Sequence, residues 1–319
     1  IGKLCPSCNR PGYYIGSTTM ANGRAGHVCN AEKGGCGHTW LARSDEEMRR
    51  VFEKPVAMKV FSHKGAVDTV LSPLDSILHR KTILHAGLVS MEPATGHIKA
   101  WVGGIDFKHF KYDNVGQSRR QVGSTFKPFV YATALRLGAE PCDEFPNQKT
   151  CIDLPPGSDP PRWCPDNSDE DYGEMVTLEY ALANSMNTVT AKLIKDYGTR
   201  RVIDLAHALG IESDIPNVPS IALGVAQLTL RELVSANASL VNQGVYVEPT
   251  FIARIEDRFG NPIYEPVQDI SEGLDDRTAY QVIQMMKGVV DGAWNEEKGK
   301  KMGTGIRIRY DSDARDYDG

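Results

Sequence analysis

The sequence has no long apolar run, no excess of basic residues and no internal repeat. Within its 319 residues, no stretch approaches the roughly 18 consecutive apolar residues that a membrane-spanning helix needs. A formal net charge of -5 excludes the overall basic surface that is typical of nucleic-acid-binding proteins. A hydrophobic content of 41% and a charged content of 24% are those of a soluble globular protein. At about 150 residues per domain, the length of 319 residues predicts about two domains.

A signal peptide is also absent, and the chain begins at Ile1 rather than at a methionine. We therefore expect the sequence to be a fragment of a longer protein. Residues 1–45 differ from the rest of the chain because they are rich in cysteine and glycine and poor in apolar side chains.

Four of the seven cysteines lie in residues 1–45, where few apolar side chains are available to form a core. Their spacing is C-x2-C, then a long gap, then C-x6-C, which is typical of zinc bound tetrahedrally by thiolates. We therefore predict a zinc-ribbon-like module with structural zinc on Cys5, Cys8, Cys29 and Cys36. Disulfides and free thiols are the alternatives, and His27 or His38 could replace one cysteine. Some modules that resemble this one bind nucleic acid or protein.

A Ser-x-x-Lys pattern lies at the start of an apolar helical segment, predicted over residues 124–137. Ser124 and Lys127 are three residues apart and therefore lie on one face of that helix. A serine hydroxyl is a poor nucleophile until a nearby base takes its proton. A buried lysine can be that base, because desolvation lowers the pKa of an amine. Gly123 allows a tight turn into the helix.

A second pattern, Ser185-Met186-Asn187, follows a short helix that is predicted over residues 178–183 with Thr177 as its cap. Alone, Ser185 and Asn187 could simply end a helix through side-chain hydrogen bonds. Together, Ser-x-x-Lys and Ser-x-Asn form two of the three motifs of a serine acyl-transferase signature, which occurs in penicillin-binding proteins and class A β-lactamases.

Further segments resemble the transpeptidase domain of class A, bifunctional, penicillin-binding proteins. Residues 92–104 are similar to the strand–turn–strand that opens this domain, and residues 120–129 are similar to its nucleophile helix. Residues 223–244 resemble the stretch that follows Ser-x-Asn. The resemblance covers residues 52–308 and implies an α/β fold, with an antiparallel sheet and helices on its faces.

The resemblance implies peptidoglycan D,D-transpeptidation through an acyl-serine at Ser124, without a cofactor. Lys127 would be the general base, Ser185 would relay a proton, and Asn187 would bind the substrate backbone or Lys127. Peptidoglycan stem peptides ending in D-Ala-D-Ala, and β-lactams, would be the partners. A D,D-carboxypeptidase or a β-lactamase-like hydrolase is the alternative with the same chemistry. A non-catalytic zinc-ribbon binding module, fused to a relic of the domain, is the alternative from another class.

The third motif of the family, K-[ST]-G-[ST], does not occur in the sequence. The nearest string is residues 301–304, where Met302 replaces the small hydroxyl residue, and it resembles the basic run that precedes the true motif. We therefore expect a linker and domain start over 46–85 and a C-terminally incomplete transpeptidase domain over 86–319. Poor solubility is expected, because lost strands would leave sheet edges exposed.

A long polar loop is predicted over residues 141–173, and loops of this length are usually functional. It contains Cys142, Cys151 and Cys164, of which two could pair outside the cytoplasm, or all three could be free thiols. The family resemblance implies the periplasmic face of the inner membrane, whereas thiolate-bound zinc indicates the cytoplasm. A natural fusion and a chimeric reading frame would both account for this conflict.

Overall fold

The computed structural model describes residues 4–5, 7–10, 15–20, 25–41, 45–173, 175–296 and 298–310. The chain divides into two compact units, Ile1–Leu84 and His85–Gly319.

The first unit contains a three-stranded sheet followed by a helix, a hairpin and a second helix. Strands β1 (Ile15–Thr19), β2 (Ala25–Cys29) and β3 (Thr39–Leu41) pair antiparallel in the order β1-β2-β3. The elements that follow are α1 (Asp45–Phe52), β4 (Val56–Ser62), β5 (Gly65–Leu71) and α2 (Pro73–Thr82). Strands β4 and β5 form an antiparallel hairpin.

The second unit is built around a buried central helix. Its helices are α3 (Lys127–Arg136), α4 (Leu178–Ala183), α5 (Asn187–Tyr197), α6 (Thr199–Ala208), α7 (Leu230–Val241), α8 (Asp276–Asp291) and α9 (Ile306–Tyr310). Every residue of α3 from Lys127 to Leu135 is buried, and α3 packs against α5, α6 and α8. A helix that is buried all round belongs to the core, so α3 holds its first residue inside the domain.

The strands of the second unit pair two by two and antiparallel among the described residues. A hairpin of β6 (Leu88–Met91) and β7 (Ile98–Val102) opens the unit, as predicted. Strand β8 (Arg120–Gln121) pairs with β13 (Gln227–Leu228) directly before the predicted nucleophile helix. The shorter strands are β9 (Glu144–Pro146), β10 (Ile152–Asp153), β11 (Arg162–Trp163), β12 (Met175–Thr177), β14 (Val245–Val247), β15 (Ile255–Glu256), β16 (Pro262–Tyr264), β17 (Ile270–Glu272), β18 (Ala293–Asn295) and β19 (Lys300–Met302).

Two helix starts follow directly from local sequence. Thr177 caps α4, and its side chain accepts a hydrogen bond from the Tyr180 N–H, as predicted. Thr229 caps α7 in a capping box with Glu232. The Glu232 carboxylate is buried and also accepts from the Ser213 N–H at 2.6 Å and the Ser213 hydroxyl at 2.8 Å. Glu232 therefore fixes both the start of α7 and the chain before it.

Replacing Glu232 by alanine is expected to lower the free energy of unfolding by about 3 kcal/mol, because buried donors on Thr229 and Ser213 lose a charged acceptor. Burial raises the pKa of Glu232, but hydrogen bonds from Thr229 and Ser213 outweigh it and lower the pKa to about 2. This stabilisation is present above the ordinary pKa of 4.5 and is lost as the pH falls towards 2. Urea unfolding measured at several pH values tests both statements, with exposed Glu179→Ala as the control. A parent that is equally stable at all these pH values would contradict the assignment.

Candidate active site

Ser124 and Lys127 lie where the chain enters helix α3. Residues Gly123–Phe126 form a 3-10 turn, and α3 begins at Lys127. Ser124 is exposed, whereas Lys127 is only 1% exposed. The pair therefore combines a hydroxyl that a substrate can reach with an amine that is removed from water.

Two glycines hold the turn that presents Ser124. Gly123 has a φ of +59° and Gly224 a φ of +70°, in the left-handed region that favours glycine. The Gly123 N–H donates to the Gly224 carbonyl at 3.0 Å. A Cβ on Gly224 would lie 1.9 Å from the Gly123 carbonyl oxygen, so no side chain fits there. Gly123 was predictable from its place before the helix, but Gly224 was not, because its partner is distant in the sequence.

The Lys127 amine contacts three oxygen atoms of the segment 185–187. Its Nζ donates to the Ser185 carbonyl at 2.5 Å, to the Ser185 hydroxyl at 3.0 Å and to Asn187 Oδ1 at 2.7 Å. Desolvation by burial lowers the pKa of Lys127 from 10.5 to about 7. A substantial fraction of the amine is therefore neutral near pH 7, and only the neutral form can accept a proton.

Ser185 reaches Lys127 through an uncommon backbone conformation. It follows the end of α4 and has a φ of +55°, which is rare for a residue other than glycine, asparagine or aspartate. The turn is closed by two hydrogen bonds, from the Ser185 N–H to the Leu182 carbonyl and from the Met186 N–H to the Ala181 carbonyl. Strain of this kind persists where the surrounding structure fixes it, and it is often found at functional sites.

Asn187 is the first residue of α5 and lies behind Lys127. Its Oδ1 accepts from Lys127, and its Nδ2 donates to the Asp166 carbonyl at 2.8 Å. Its backbone N–H donates to Asn167 Oδ1 at 2.9 Å. Both partners belong to the loop of residues 141–173. The length of this loop predicts that it is functional, but it does not single out Asp166 or Asn167. Their nearness to Asn187 depends on tertiary packing, so the sequence carries no direct signal for it.

Three of the four predicted residues line one cavity of about 520 Å³. Ser124, Lys127 and Ser185 contribute polar groups to it, together with Thr125, Asn237 and Thr304. Its apolar side consists mainly of Leu182, Leu233, Val234, Met286 and Val289, from α4, α7 and α8. Asn187 does not line this cavity and contacts it through Lys127. The geometry thus brings an exposed serine hydroxyl and a buried amine to one cavity.

The string at residues 301–304, the nearest match to the missing third motif, ends at the same cavity. Thr304 lines the cavity, and its N–H donates to the Ala183 carbonyl at 3.1 Å. Met302 instead accepts from the Tyr180 hydroxyl through its sulfur at 3.3 Å. At position 302, where the third motif has a serine or threonine, this chain therefore has a thioether and no hydroxyl.

The four N-terminal cysteines form one cluster in the first unit. Their sulfur atoms all lie within 4.8 Å of one another, with Cys5–Cys36 at 3.5 Å and Cys8–Cys29 at 3.7 Å. A disulfide needs about 2.05 Å between its sulfur atoms. Zn–S bonds of about 2.3 Å in a tetrahedron instead give edges of about 3.8 Å. The four thiols are therefore spaced so that they could hold a metal ion.

The two candidate histidines do not join this cluster within the described residues. The rings of His27 and His38 instead flank Trp40, with centroids 5.6 and 5.9 Å from its ring. The Cys36 N–H donates to the Cys29 sulfur at 3.4 Å, and the Cys29 N–H donates to the His38 carbonyl at 2.8 Å. These bonds hold Cys29, the last residue of β2, close to Cys36 in the segment that leads to β3.

The remaining cysteines settle one alternative that the sequence left open. Cys151 and Cys164 form a disulfide, and Cys142 is free and exposed. Two of the three loop cysteines thus pair and one is left over.

No helix in the described part of the chain is long and apolar enough to cross a membrane.

Comparison with known proteins identifies the family. Residues 86–309 match the sequence model of the penicillin-binding protein transpeptidase domain. The chain belongs to this family. Residues 41–84 match the model of the penicillin-binding protein middle domain, in a segment for which a linker and the start of the transpeptidase region were predicted.

Curated relatives of this penicillin-binding protein chain agree with the predicted class. Penicillin-binding protein 1A of Rickettsia prowazekii (strain Madrid E) is 30% identical over 260 residues, which are 74% of this chain and 33% of that protein. Penicillin-binding protein 2D of Bacillus subtilis (strain 168) is 32% identical over 209 residues, which are 65% of this chain and 30% of that protein. The chain thus spans about a third of the length of these relatives.

Solved structures confirm the transpeptidase fold predicted for the chain. Penicillin-binding protein 1A from Haemophilus influenzae aligns with a TM-score of 0.65 at 20% identity, covering 92% of this chain and 46% of that one. PonA1 from Mycobacterium tuberculosis, in complex with penicillin V, aligns with a TM-score of 0.55 at 20% identity, covering 78% of this chain and 67% of that one. At 20% sequence identity, these two alignments show that the chain shares the fold of the solved structures.

Proposed function

We propose that this chain carries the acyl-transfer site of a peptidoglycan D,D-transpeptidase. The observation that carries the proposal is the buried Lys127 amine, hydrogen-bonded to Ser185 and Asn187 at a cavity that Ser124 also lines. An amine with a lowered pKa in the same cavity as a serine is suited to activate that serine. The match of residues 86–309 to the transpeptidase domain supports the same chemistry.

In the proposed reaction, the Ser124 Oγ attacks the carbonyl carbon between the two terminal D-alanines of a stem peptide. Lys127 takes the hydroxyl proton, and the oxygen–carbon bond of the acyl-serine forms. The carbon–nitrogen bond then breaks, and the leaving D-alanine amine receives a proton from the Ser185 hydroxyl, which Lys127 replenishes. An amine from a second stem peptide then attacks the acyl carbon. The new carbon–nitrogen bond forms, the bond to the Ser124 Oγ breaks, and Lys127 takes the proton of the amine and returns it to the Ser124 Oγ.

The hydrogen bonds of Lys127 support this relay. Its three oxygen partners match the three N–H groups of an ammonium ion. When Lys127 is neutral, its lone pair needs a donor or an empty position. The Ser185 hydroxyl is the one partner among the three that can donate a proton, since the others are a carbonyl and an amide oxygen. Ser185 is therefore suited to pass protons to and from Lys127.

The rate of acylation by a penicillin is expected to rise with pH, with a midpoint near 7. The pKa of Lys127 is about 7 in the folded protein, so the amine is protonated and inactive below this value. Above it, the neutral amine can accept the proton of Ser124. Rates measured with a fluorescent penicillin over a pH series test this. A midpoint that stays close to the ordinary lysine value of 10.5 would contradict the role of Lys127.

Transfer and hydrolysis can be separated with a peptide that ends in D-Ala-D-Ala, incubated with a D-amino acid as acceptor. We expect mass spectrometry to show exchange of the terminal D-alanine for the acceptor, which marks a transpeptidase. Accumulation of the shortened peptide alone would favour the carboxypeptidase alternative. Rapid release of hydrolysed penicillin would favour the β-lactamase-like alternative. No turnover of either substrate by folded, zinc-containing chain would favour the non-catalytic binding module.

We further propose that Cys5, Cys8, Cys29 and Cys36 bind one structural zinc ion. Four thiolates with separations close to a tetrahedral edge suit Zn²⁺, which prefers sulfur ligands in this geometry. The strands around the cluster contribute few apolar side chains to a core, so a metal would supply the stability that they lack. Zinc would also keep these thiols from oxidising.

The purified chain is expected to contain about one zinc per molecule, measured by elemental analysis. Cobalt substitution is expected to give the absorption of a tetrahedral thiolate site. Replacing Cys8 by serine should remove most of the bound metal, whereas Cys142→Ser, which changes the exposed free cysteine, should leave it unchanged. Equal metal content in both variants, or a parent without metal, would contradict the zinc site.

We also propose that this chain works outside the cytoplasm, at the cell wall. The disulfide between Cys151 and Cys164 supports this location, because such bonds persist in oxidising compartments. The cytoplasmic location that was inferred from zinc-type cysteines rests on spacing alone. Zinc bound before export would reconcile the cluster with an oxidising surrounding.

A further inference from the structure

Helix α5, which carries Asn187, is capped by a residue from a distant segment. Met186 is at the cap position and offers no side-chain acceptor to the first N–H groups of the helix. The Asn167 Oδ1 takes this place and accepts from the Asn187 N–H at 2.9 Å and the Thr188 N–H at 3.1 Å. One amide oxygen therefore holds the first turn of α5.

A buried network holds Asn167 in this position. The Asn167 Nδ2 donates to Asn147 Oδ1 at 2.7 Å and to the Asp171 carbonyl at 3.1 Å. The Thr188 hydroxyl donates to the same Asn147 oxygen at 2.9 Å. Asn147 is fully buried and Asn167 is 5% exposed. A satisfied network of this kind in a low-dielectric surrounding fixes a single arrangement of its amides.

The same loop also orients the Asn187 side chain. The Asp166 carbonyl accepts from Asn187 Nδ2, which leaves Oδ1 directed at Lys127. Cys164, which shortly precedes Asp166, is tied to Cys151 by the disulfide. The disulfide therefore cross-links the loop internally, whereas the Asn147–Asn167 network joins the loop to the first turn of α5, where Asn187 lies.

We propose that Asn167 is a positioning residue for acyl transfer, which fixes Asn187 and through it the amine of Lys127. The inference rests on the proposed function of Ser124 and Lys127. Without the Asn167 oxygen, two N–H groups at the start of α5 lose their acceptor, and the Asn187 side chain loses its support. The contact between Asn187 Oδ1 and Lys127 then weakens, and the base moves relative to Ser124.

The test is the acylation rate of the full chain by a fluorescent penicillin, measured over a pH series. Replacing Asn167 by alanine is expected to lower the rate about 10- to 100-fold, because small displacements of a reacting group have effects of this size. The midpoint of the pH profile is expected to fall by about half a unit to one unit, because the Asn187 oxygen stabilises the protonated form of Lys127. A purely structural loss would lower the active fraction and leave this midpoint in place.

Asn242→Ala is the matched control, since Asn242 also holds a helix end, through Nδ2 to the Val245 carbonyl at 3.0 Å, and does not line the cavity. It is expected to keep the midpoint of the parent. Asn167→Asp keeps an oxygen that can accept both N–H bonds, loses the Nδ2 donor to Asn147 and to the Asp171 carbonyl, and places a negative charge next to Asn187. It is expected to be acylated faster than the alanine variant, with a midpoint at or above that of the parent.

Four results would overturn the proposal, and they are distinguishable. A folded Asn167→Ala protein with the rate and midpoint of the parent removes the positioning role. The same is true of a rate loss equal to that of Asn242→Ala with an unshifted midpoint. If the alanine variant does not fold, a midpoint of Asn167→Asp below that of the parent contradicts the inference. A parent that is not acylated at all overturns the proposed function and this inference together.

Discussion

Replacing Lys127 by methionine is expected to lower the rate at which a penicillin acylates Ser124 by about 10²- to 10⁴-fold. This is the usual contribution of a positioned general base. Methionine fills a similar volume in a position that is 1% exposed, so the packing of α3 is retained while the amine is removed. Because the three oxygen partners of the amine lose their donor while its desolvation cost also disappears, we expect the free energy of unfolding to change by less than about 3 kcal/mol.

The measurement is the second-order rate constant of acylation, together with thermal unfolding of the same sample. Lys192→Met is the matched control, because Lys192 lies on helix α5 but pairs with Asp196 at 2.5 Å outside the cavity. We expect the control to react like the parent. A Lys127→Met protein that unfolds like the parent and is acylated at a similar rate would show that another group activates Ser124.

Replacing Gly224 by alanine is expected to abolish acylation and to destabilise the second unit by several kcal/mol. The new Cβ would lie 1.9 Å from the Gly123 carbonyl oxygen and 2.6 Å from its carbonyl carbon, so the two chain segments must separate. Backbone atoms cannot move aside as a flexible side chain can, and overpacking of this kind costs about 1–3 kcal/mol or more. The left-handed conformation adds about 1 kcal/mol. The turn that presents Ser124 would be displaced.

Gly138→Ala separates the clash from the backbone strain. Gly138 has a φ of +100°, so an added side chain is strained there too, but it meets nothing within 4 Å. We expect this control to lose about 1 kcal/mol of stability and to keep its acylation rate. The comparison uses thermal unfolding and labelling with a fluorescent penicillin. Equal behaviour of the two variants would mean that the contact between Gly224 and Gly123 does not position the nucleophile.

Local patterns were sufficient to predict the helices that carry the site. The spacing of Ser124 and Lys127 follows from helical periodicity, and Thr177 caps α4 as its side chain predicts. The four cysteines were also predictable as a group, since their spacing is typical of ligands to one metal ion, and their sulfur atoms do lie within 4.8 Å of one another. In each of these cases the information lies within a few neighbouring residues or in a known spacing.

Features that depend on distant contacts were not predictable. The φ of +55° at Ser185 belongs to the turn that two backbone hydrogen bonds close after α4, and no residue type in this segment predicts it. Asn167 reaches α5 from another segment, so the loop was recognised as functional but its capping residue was not. The alternating side chains of residues 246–256 also predict one continuous strand. The structure instead has Val245–Val247 and Ile255–Glu256, with an isolated bridge from Thr250 to His97 between them, and Pro249 has no N–H to donate.

The central claim is that Ser124 forms a covalent acyl bond at the cavity shared with Lys127. The most direct test is the intact mass of the chain after incubation with benzylpenicillin, beside a Ser124→Ala variant with a confirmed thermal transition. We expect one penicillin adduct per parent chain and none on the variant. A folded parent without an adduct, or an adduct that persists on Ser124→Ala, would contradict the assignment of this serine as the nucleophile.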